Sequence, residues 1–170
     1  DVVVPLNPGN LSAFGLLTVD VKNDYVQTHV VTDAEVDHDE LTKVYASLEQ
    51  QAADALTREG FTADEHGFQR TADLRYDGQA FEVRVPAPDG PIDAGFQRRV
   101  VAAFHDEHER LYGYSYRDDT YSGEHEHPVE WVNLRVSGIG PIRRPQLQRL
   151  EPGEGDVTDA QIDTRPVAFE

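Results

Sequence analysis

The sequence predicts an α+β domain in which an antiparallel sheet carries two helices on one face. Two long segments have apolar residues at helical spacing, and a glycine follows each of them, Gly60 and Gly113. Short β-branched and aromatic segments flank both helices. Between the helices, the dipeptide Asp77-Gly78 is typical of a tight hairpin turn. The predicted order is therefore strand, helix, strand, strand, helix, strand.

The chain opens with a turn-rich segment, PLNPGN, which follows a short β-branched run. Asn10 is a candidate N-cap for a short helix, LSAFGLLTV, whose small residues indicate that another element approaches it closely. A strand is then predicted from about Val19 to Val31. We expect residues 1–20 to be loosely held or bound by a neighbouring molecule, because a terminal helix without a sheet beside it buries little surface.

The two long helices have clear signals at both ends. Asp37 or Asp39 should cap the first, which ends at Gly60. Its predicted inward face consists of Leu41, Val44, Tyr45, Leu48, Ala52, Ala55 and Leu56. The second should run from about Asp93 to Leu111. Its predicted inward residues are Phe96, Val100, Phe104 and Leu111.

The hairpin between the helices also has a predicted register. A two-residue loop predicts three opposed pairs: Tyr76 with Gln79, Leu74 with Phe81, and Ala72 with Val83. The apolar members then share one face. The opposite face carries Thr71, Asp73, Arg75, Glu82 and Arg84, so that register and polarity agree.

The last predicted strand is VEWVNLRV, which follows a long polar loop, RDDTYSGEHEHP. After Gly138 the chain has no hydrophobic periodicity and is typical of a linker. The element order is the split βαβ pattern of a ferredoxin-like sandwich. We expect an N-terminal part at 1–19, the α+β domain at 20–138 and an irregular tail at 139–170.

The charge balance is strongly acidic, with 32 Asp and Glu against 15 Lys and Arg and a net charge of −17. Such a chain repels nucleic-acid backbones and anionic membranes, so neither is an expected partner. The excess of acids with only two lysines favours the cytoplasm of a high-salt organism, where salt screens the repulsion. No signal peptide is visible, and the lack of Met favours a chain cut from a longer protein.

Catalytic signatures are missing from the sequence. The chain has no cysteine, no Gly-x-Ser-x-Gly context and no phosphate-binding loop. His105 and His108 lie three apart on a predicted helix, and His125 and His127 lie in the polar loop. These four histidines form a weaker metal-site hypothesis, because their spacing matches no hydrolase signature. We predict no catalytic residue and no cofactor for this chain alone.

Three motifs, in order, resemble the hydantoinase A and oxoprolinase family. They are PLNPGNLSAFGLLTVDVKNDYVQT, then ADLRYDGQAFEV, then FHDEHERLYGY followed by PVEWVNLRV. The resemblance covers roughly residues 1–150, although the loop RDDTYSGEHEH is longer than the family pattern. It implies a longer protein that uses ATP and a divalent cation to open a cyclic amide, a hydantoin or 5-oxoproline. It also implies a B-type partner subunit, and related assemblies carboxylate ketones.

The resemblance also implies roles for particular residues. The first motif would close an actin-like ATPase core, so residues 1–19 would be a remnant of that core. Its nucleotide-adjacent candidates are Pro8, Gly9, Ser12 and Gly15, for which tight helix–sheet packing is the alternative. The candidates for a subunit contact or a substrate-site wall are Arg75, Tyr76, Gly78, Gln79, Tyr112 and Tyr114. For the hairpin residues the alternative is turn formation and ion pairing on the polar face.

Four functional hypotheses remain open. The first is a C-terminal scaffold and subunit interface of a cyclic-amide hydrolase subunit. The others are a ketone carboxylase part of the same family, a non-catalytic ferredoxin-like binding module, and a small metal-dependent hydrolase that uses the histidines.

Overall fold

The computed structural model describes residues 8–117, 127–143, 163–164 and 166. The helices are α1 (Leu11–Leu16), α2 (His38–Arg58) and α3 (Ala94–Tyr112). The strands are β1 (Val21–Thr32), β2 (Gly67–Tyr76), β3 (Val83–Pro86) and β4 (Val129–Gly140). From β1 onward, the predicted βαββαβ order is confirmed. In the described ranges, no helix is long and apolar enough to cross a membrane.

The four strands form one antiparallel sheet in the order β1-β4-β2-β3. The parallel pair β1 and β2 is joined through α2 and has β4 between its members. This is a split βαβ connection, but the predicted ferredoxin-like topology is not clearly shown. That topology requires the first and third strands at the centre of the sheet, whereas here β4 and β2 are central. The almost continuous burial of β4 is the property that suits a central strand.

A bulge in β4 sets which side chains face the helices. Asn133 pairs with Asp73, but the next pair is Trp131 with Leu74, so Val132 is an extra residue. Trp131 and Leu134 are three positions apart and both are fully buried in the core, while Asn133 points to the opposite face. The bulge therefore separates a helix-covered face from an open face of the same strand.

Helix α2 forms as the sequence predicts. Asp37 is the cap: its Oδ1 accepts the backbone N–H groups of Asp39 at 2.8 Å and Glu40 at 3.2 Å. All seven predicted inward residues are buried. Beneath the helix, a Cβ built on Gly138 would lie 2.9 Å from the Ala52 Cβ. A glycine opposite an alanine thus allows α2 to approach β4 closely.

The predicted hairpin register is wrong by two residues on one strand. Leu74 pairs with Val83, and Ala72 pairs with Val85. Gln79 closes the turn: its N–H donates to the Tyr76 carbonyl oxygen at 3.0 Å, and its side-chain Oε1 accepts the Tyr76 N–H at 3.3 Å. A two-residue shift preserves the face, because side chains alternate with period two. The predicted partner of Leu74, Phe81, leaves the ladder and is 41% exposed.

Helix α3 is capped by Asp93, whose Oδ1 accepts the Phe96 N–H at 2.8 Å, and it ends at Gly113 with a φ of 79°. Three of its predicted inward residues, Phe96, Val100 and Phe104, are buried. The prediction for Leu111 is wrong, since this side chain is 48% exposed. The spacing of four residues continues from Phe104 to His108, and His108 is the residue that is fully buried at this end of the helix.

The long helices cover one face of the sheet. Helix α2 packs on β1 and β4, and α3 packs on β3 and β2. Their inward side chains join those of the strands in one core. Helix α1 is outside this core and has no buried residue. Its leucines Leu11 and Leu16 are among the exposed large apolar residues.

Candidate functional site

Aromatic and histidine rings collect where the hairpin, the C-terminal end of α3 and the segment after it meet. We call this set the ring cluster, and its members are Tyr76, Phe81, Phe104, His105, His108, Tyr112, Tyr114, Tyr116 and His127. Residues of the second family-like motif and of the first part of the third therefore converge on one place. The geometry of two histidines decides what the cluster can do.

His108 is held at both ring nitrogens. Its Nδ1 lies 2.9 Å from the Tyr114 carbonyl oxygen, which can only accept, so Nδ1 carries the proton. Its Nε2 then accepts from the Gln79 side-chain amide at 3.0 Å. The ring is fully buried between these partners. His108 thus ties the hairpin turn, α3 and the segment after α3 together.

His105 completes a second connection through the Tyr76 hydroxyl. That oxygen accepts the Tyr116 N–H at 2.9 Å and lies 2.7 Å from the His105 Nδ1, to which it donates. Burial raises the pKa of Tyr76. Burial, followed by the positive charge of Arg117, lowers the pKa of His105. Both shifts favour a neutral hydroxyl that donates to a neutral imidazole near pH 7.

The outer surface of the ring cluster is aromatic. Phe81, Tyr112 and Tyr114 are 41%, 45% and 43% exposed, and we call these three residues the aromatic platform. The Phe81 and Tyr112 ring centroids are 4.8 Å apart. His108 lies behind, with its centroid 4.7 Å from that of Tyr112 and 4.9 Å from that of Tyr114. The platform rests on a ring that hydrogen bonds hold in place.

The structure separates the predicted contact residues into two groups. Tyr76, Gln79, Tyr112 and Tyr114 come together in the ring cluster, and Gly78 forms the turn beside it with a φ of 79°. Arg75 is not part of it, because its Nε donates to Glu130 at 2.7 Å on the open face. For Arg75 and Gly78, the structure shows the contacts of the alternative reading, ion pairing and turn formation.

Phe81 and the hydrogen-bonding role of His108 were missed by sequence reasoning. The spacing of four residues from Phe96 through Phe104 to His108 was a visible sign that His108 faces inward. Phe81 had no such sign, because the predicted register placed it opposite Leu74.

The nucleotide-adjacent candidates lie on α1 and immediately before it. A Cβ built on Gly9 or Gly15 would meet nothing within 4 Å. Ser12 is exposed. Within the described residues, the close approach that these small residues suggest therefore has no partner. Their proposed proximity to a nucleotide stays a prediction.

Three of the four histidines of the metal hypothesis lie in the ring cluster, but each has a different contact there. His105 and His108 hydrogen-bond within the ring cluster, and His127 stacks on Tyr116 with centroids 4.0 Å apart. His125 lies outside the described residues. Across 8–117 and 127–143, no group of three or more His, Cys, Asp and Glu side chains could hold a metal ion.

A polar network occupies the open face of the sheet. Its centre is Asp73, which is only 4% exposed. The carboxylate accepts from Arg135 Nε at 2.7 Å, Arg84 Nε at 3.0 Å and Asn133 Nδ2 at 3.0 Å. Burial alone would raise the pKa of Asp73, but these hydrogen bonds outweigh it and lower the pKa. The network joins β2, β3 and β4 on the face that no helix of the described residues covers.

Comparison with known proteins gives the family. The hydantoinase/oxoprolinase C-terminal domain matches residues 30–170, and the chain belongs to this family. It is 29% identical over 152 residues to the caprolactamase subunit alpha of Pseudomonas jessenii, covering 88% of this chain and 21% of that protein. It is 28% identical over 153 residues to an uncharacterised protein of Methanocaldococcus jannaschii, covering 90% of this chain and 20% of the relative.

Solved structures agree with this assignment. The ATP-dependent caprolactamase of Pseudomonas jessenii matches with a TM-score of 0.71 and 28% identity, covering 86% of this chain and 20% of that one. Nucleotide-free acetone carboxylase matches with a TM-score of 0.62 and 24% identity, covering 89% and 22%. The second likeness shows a shared fold. The chain spans about a fifth of the length of these relatives.

Proposed function

We propose that this chain is the C-terminal domain of an ATP-dependent cyclic-amide hydrolase subunit, in which it serves as scaffold and subunit interface. The family assignment and the likeness to a caprolactamase subunit alpha support the reaction class, since caprolactam is itself a cyclic amide. The longer protein would use ATP with a divalent cation, as the description of the related caprolactamase as ATP-dependent suggests. Its partners would be the rest of its own chain and a B-type subunit.

The observation that carries the scaffold role is the state of the ring cluster. Both ring nitrogens of His108, the Nδ1 of His105 and the Tyr76 hydroxyl are engaged inside the domain. A general acid or base must instead reach its substrate within hydrogen-bond distance. The bonds hold three chain segments together, and Phe81, Tyr112 and Tyr114 form an aromatic surface outside them. Such a cluster suits the shaping of a contact surface better than proton transfer.

A ketone carboxylase is the second candidate within the same family. It is supported by the fold shared with acetone carboxylase at 24% identity. The caprolactamase likeness is stronger by both identity and TM-score, so the cyclic-amide hydrolase is preferred. A separate ferredoxin-like binding module has less support, because the central strands of the sheet are β4 and β2.

Activity measurements test this proposal. The full-length natural subunit, purified with its companion subunit, should open caprolactam, hydantoin or 5-oxoproline only when ATP and Mg²⁺ are present. The 170-residue chain alone should open none of these rings, and calorimetry should detect no micromolar ATP binding to it. Ring opening by the chain alone would contradict the scaffold role. Bicarbonate-dependent carboxylation of a ketone by the full assembly would favour the second candidate.

A further inference from the structure

The charged residues beside the aromatic platform are mainly acidic. Asp77 and Glu82 belong to the same hairpin loop as Phe81, and both are exposed. Glu109 is exposed on α3 one turn before Tyr112 and so lies on the same side of the helix. Arg110, on the same turn of α3, is paired with Glu107, which leaves an excess of carboxylates beside the three aromatic rings. An aromatic centre with a charged border is the usual composition of a protein-binding surface.

The platform is also held in place before any partner arrives. Tyr114 is fixed by its carbonyl bond to His108, and Phe81 follows the turn that Gln79 anchors to the same ring. Tyr112 packs against both His108 and Phe81. A surface that is already ordered loses little conformational entropy when it binds. The buried hydrogen bonds of the ring cluster therefore favour recognition at the platform.

We propose that the aromatic platform binds a protein segment that presents arginine side chains around an apolar centre. This inference rests on the proposed interface role and names the chemistry of the partner. Guanidinium groups stack on tyrosine faces and also pair with carboxylates, so one residue type satisfies both parts of the surface. Apolar side chains between the arginines would cover Phe81.

The charges disfavour the other occupants. A second copy bound by two-fold symmetry would bring Glu82 and Glu109 against the same acidic border, and the chain already carries −17. Nucleic acids and anionic membranes meet the same repulsion. A cationic protein segment gains from this charge, and salt should weaken its binding.

The test uses the 170-residue chain and two synthetic peptides. One alternates arginine and leucine, and the other replaces each arginine with glutamate. We expect the arginine peptide to shift the ring resonances of Tyr112 and Tyr114 in NMR titrations and to bind at least about tenfold more tightly than the glutamate peptide. Equal binding of both peptides, or shifts confined to other parts of the chain, would overturn the proposal.

Matched variants separate the platform from the general acidity of the chain. The double variant Tyr112→Ala/Tyr114→Ala should weaken the arginine peptide about tenfold, whereas Leu16→Ala, at another exposed apolar residue, should leave binding unchanged. The charge variant Glu82→Gln/Glu109→Gln should weaken binding more than Asp54→Asn, which removes an exposed acid on α2. Thermal melts confirm that each variant is folded. Equal losses in the platform and control variants would mean non-specific attraction.

Two further outcomes are decisive. Concentration-dependent self-association that disappears in Tyr112→Ala/Tyr114→Ala would identify a second copy as the occupant and overturn the proposal. These experiments need neither ATP nor a cyclic amide, so their failure leaves the reaction class untouched. Conversely, peptide binding at the platform would stand even if the full-length protein opened no ring.

Discussion

Different interactions surround the buried side chains on the two faces of the sheet. Beneath the helices, Trp131, Leu74 and Val85 are fully buried among apolar neighbours. On the open face, Asp73 is buried almost as deeply, but three side-chain hydrogen bonds surround it. An apolar group needs only matching volume, whereas a buried carboxylate needs donors in defined positions. The two faces should therefore respond differently to mutation, pH and salt.

The largest expected effect is on the helix-covered face. Trp131→Ala should lower the free energy of unfolding by about 3–5 kcal/mol, because it opens a cavity in the core. It also removes the indole N–H that donates to Asp33 Oδ1 at 3.0 Å. Urea unfolding monitored by far-UV circular dichroism measures the loss. Trp131→Phe retains a ring near Phe96 and should lose less, and equal losses in both variants would show that cavity volume is not the main cause.

A smaller effect is expected on the open face. Asp73→Ala should lower the free energy of unfolding by about 1–3 kcal/mol, since Arg135, Arg84 and Asn133 lose their acceptor. The arginines are partly exposed and can regain water, which limits the loss. The control is Asp24→Ala, an exposed acid of the same face that accepts from the Ser137 hydroxyl and lies 3.7 Å from Lys22. A control as damaging as Asp73→Ala would show that burial does not distinguish the two acids.

Acid should remove part of the open-face contribution. The pKa of Asp73 is lowered from 3.8 in the folded protein, so its stabilisation is present above the unfolded pKa. It is lost as the pH falls through the folded pKa. The stability difference between the wild type and Asp73→Asn should therefore be constant near pH 7 and narrow below about pH 4. Chemical denaturation at several pH values measures it, and a constant difference down to pH 2 would contradict the assigned hydrogen bonds.

Salt should have the smallest effect on the difference in stability between the wild type and a core variant. Sodium chloride screens repulsion among exposed acids, so melting temperatures should rise from dilute to molar salt in the wild type and in Trp131→Ala alike. The difference between these two proteins should hardly change, because screening does not reach the packed core. A wild-type melting temperature that stays constant from dilute to molar salt would exclude the high-salt interpretation. A difference that grows strongly with salt would mean that burial, and not screening, responds.

The sequence by itself determined the local elements and their caps. The seven inward residues of α2, the caps at Asp37 and Asp93 and the end of α3 at Gly113 follow from helical periodicity and short-range hydrogen bonds. The motifs also identified the family. They indicated Tyr76, Gln79, Tyr112 and Tyr114 as candidates for a contact surface, but they did not show how these residues contact one another.

Only the tertiary structure decided the strand order, the hairpin register and the partners of the buried polar groups. The turn signal at Asp77-Gly78 did not predict the register of the strands beyond the turn that Gln79 closes, and the surroundings of Asp73 required Asn133 and Arg135 from a strand about 60 residues away. The bond between His108 and Gln79 likewise spans 29 residues. Periodicity reports which side of an element is apolar. It does not report which distant donor meets which acceptor, because that depends on how the elements pack.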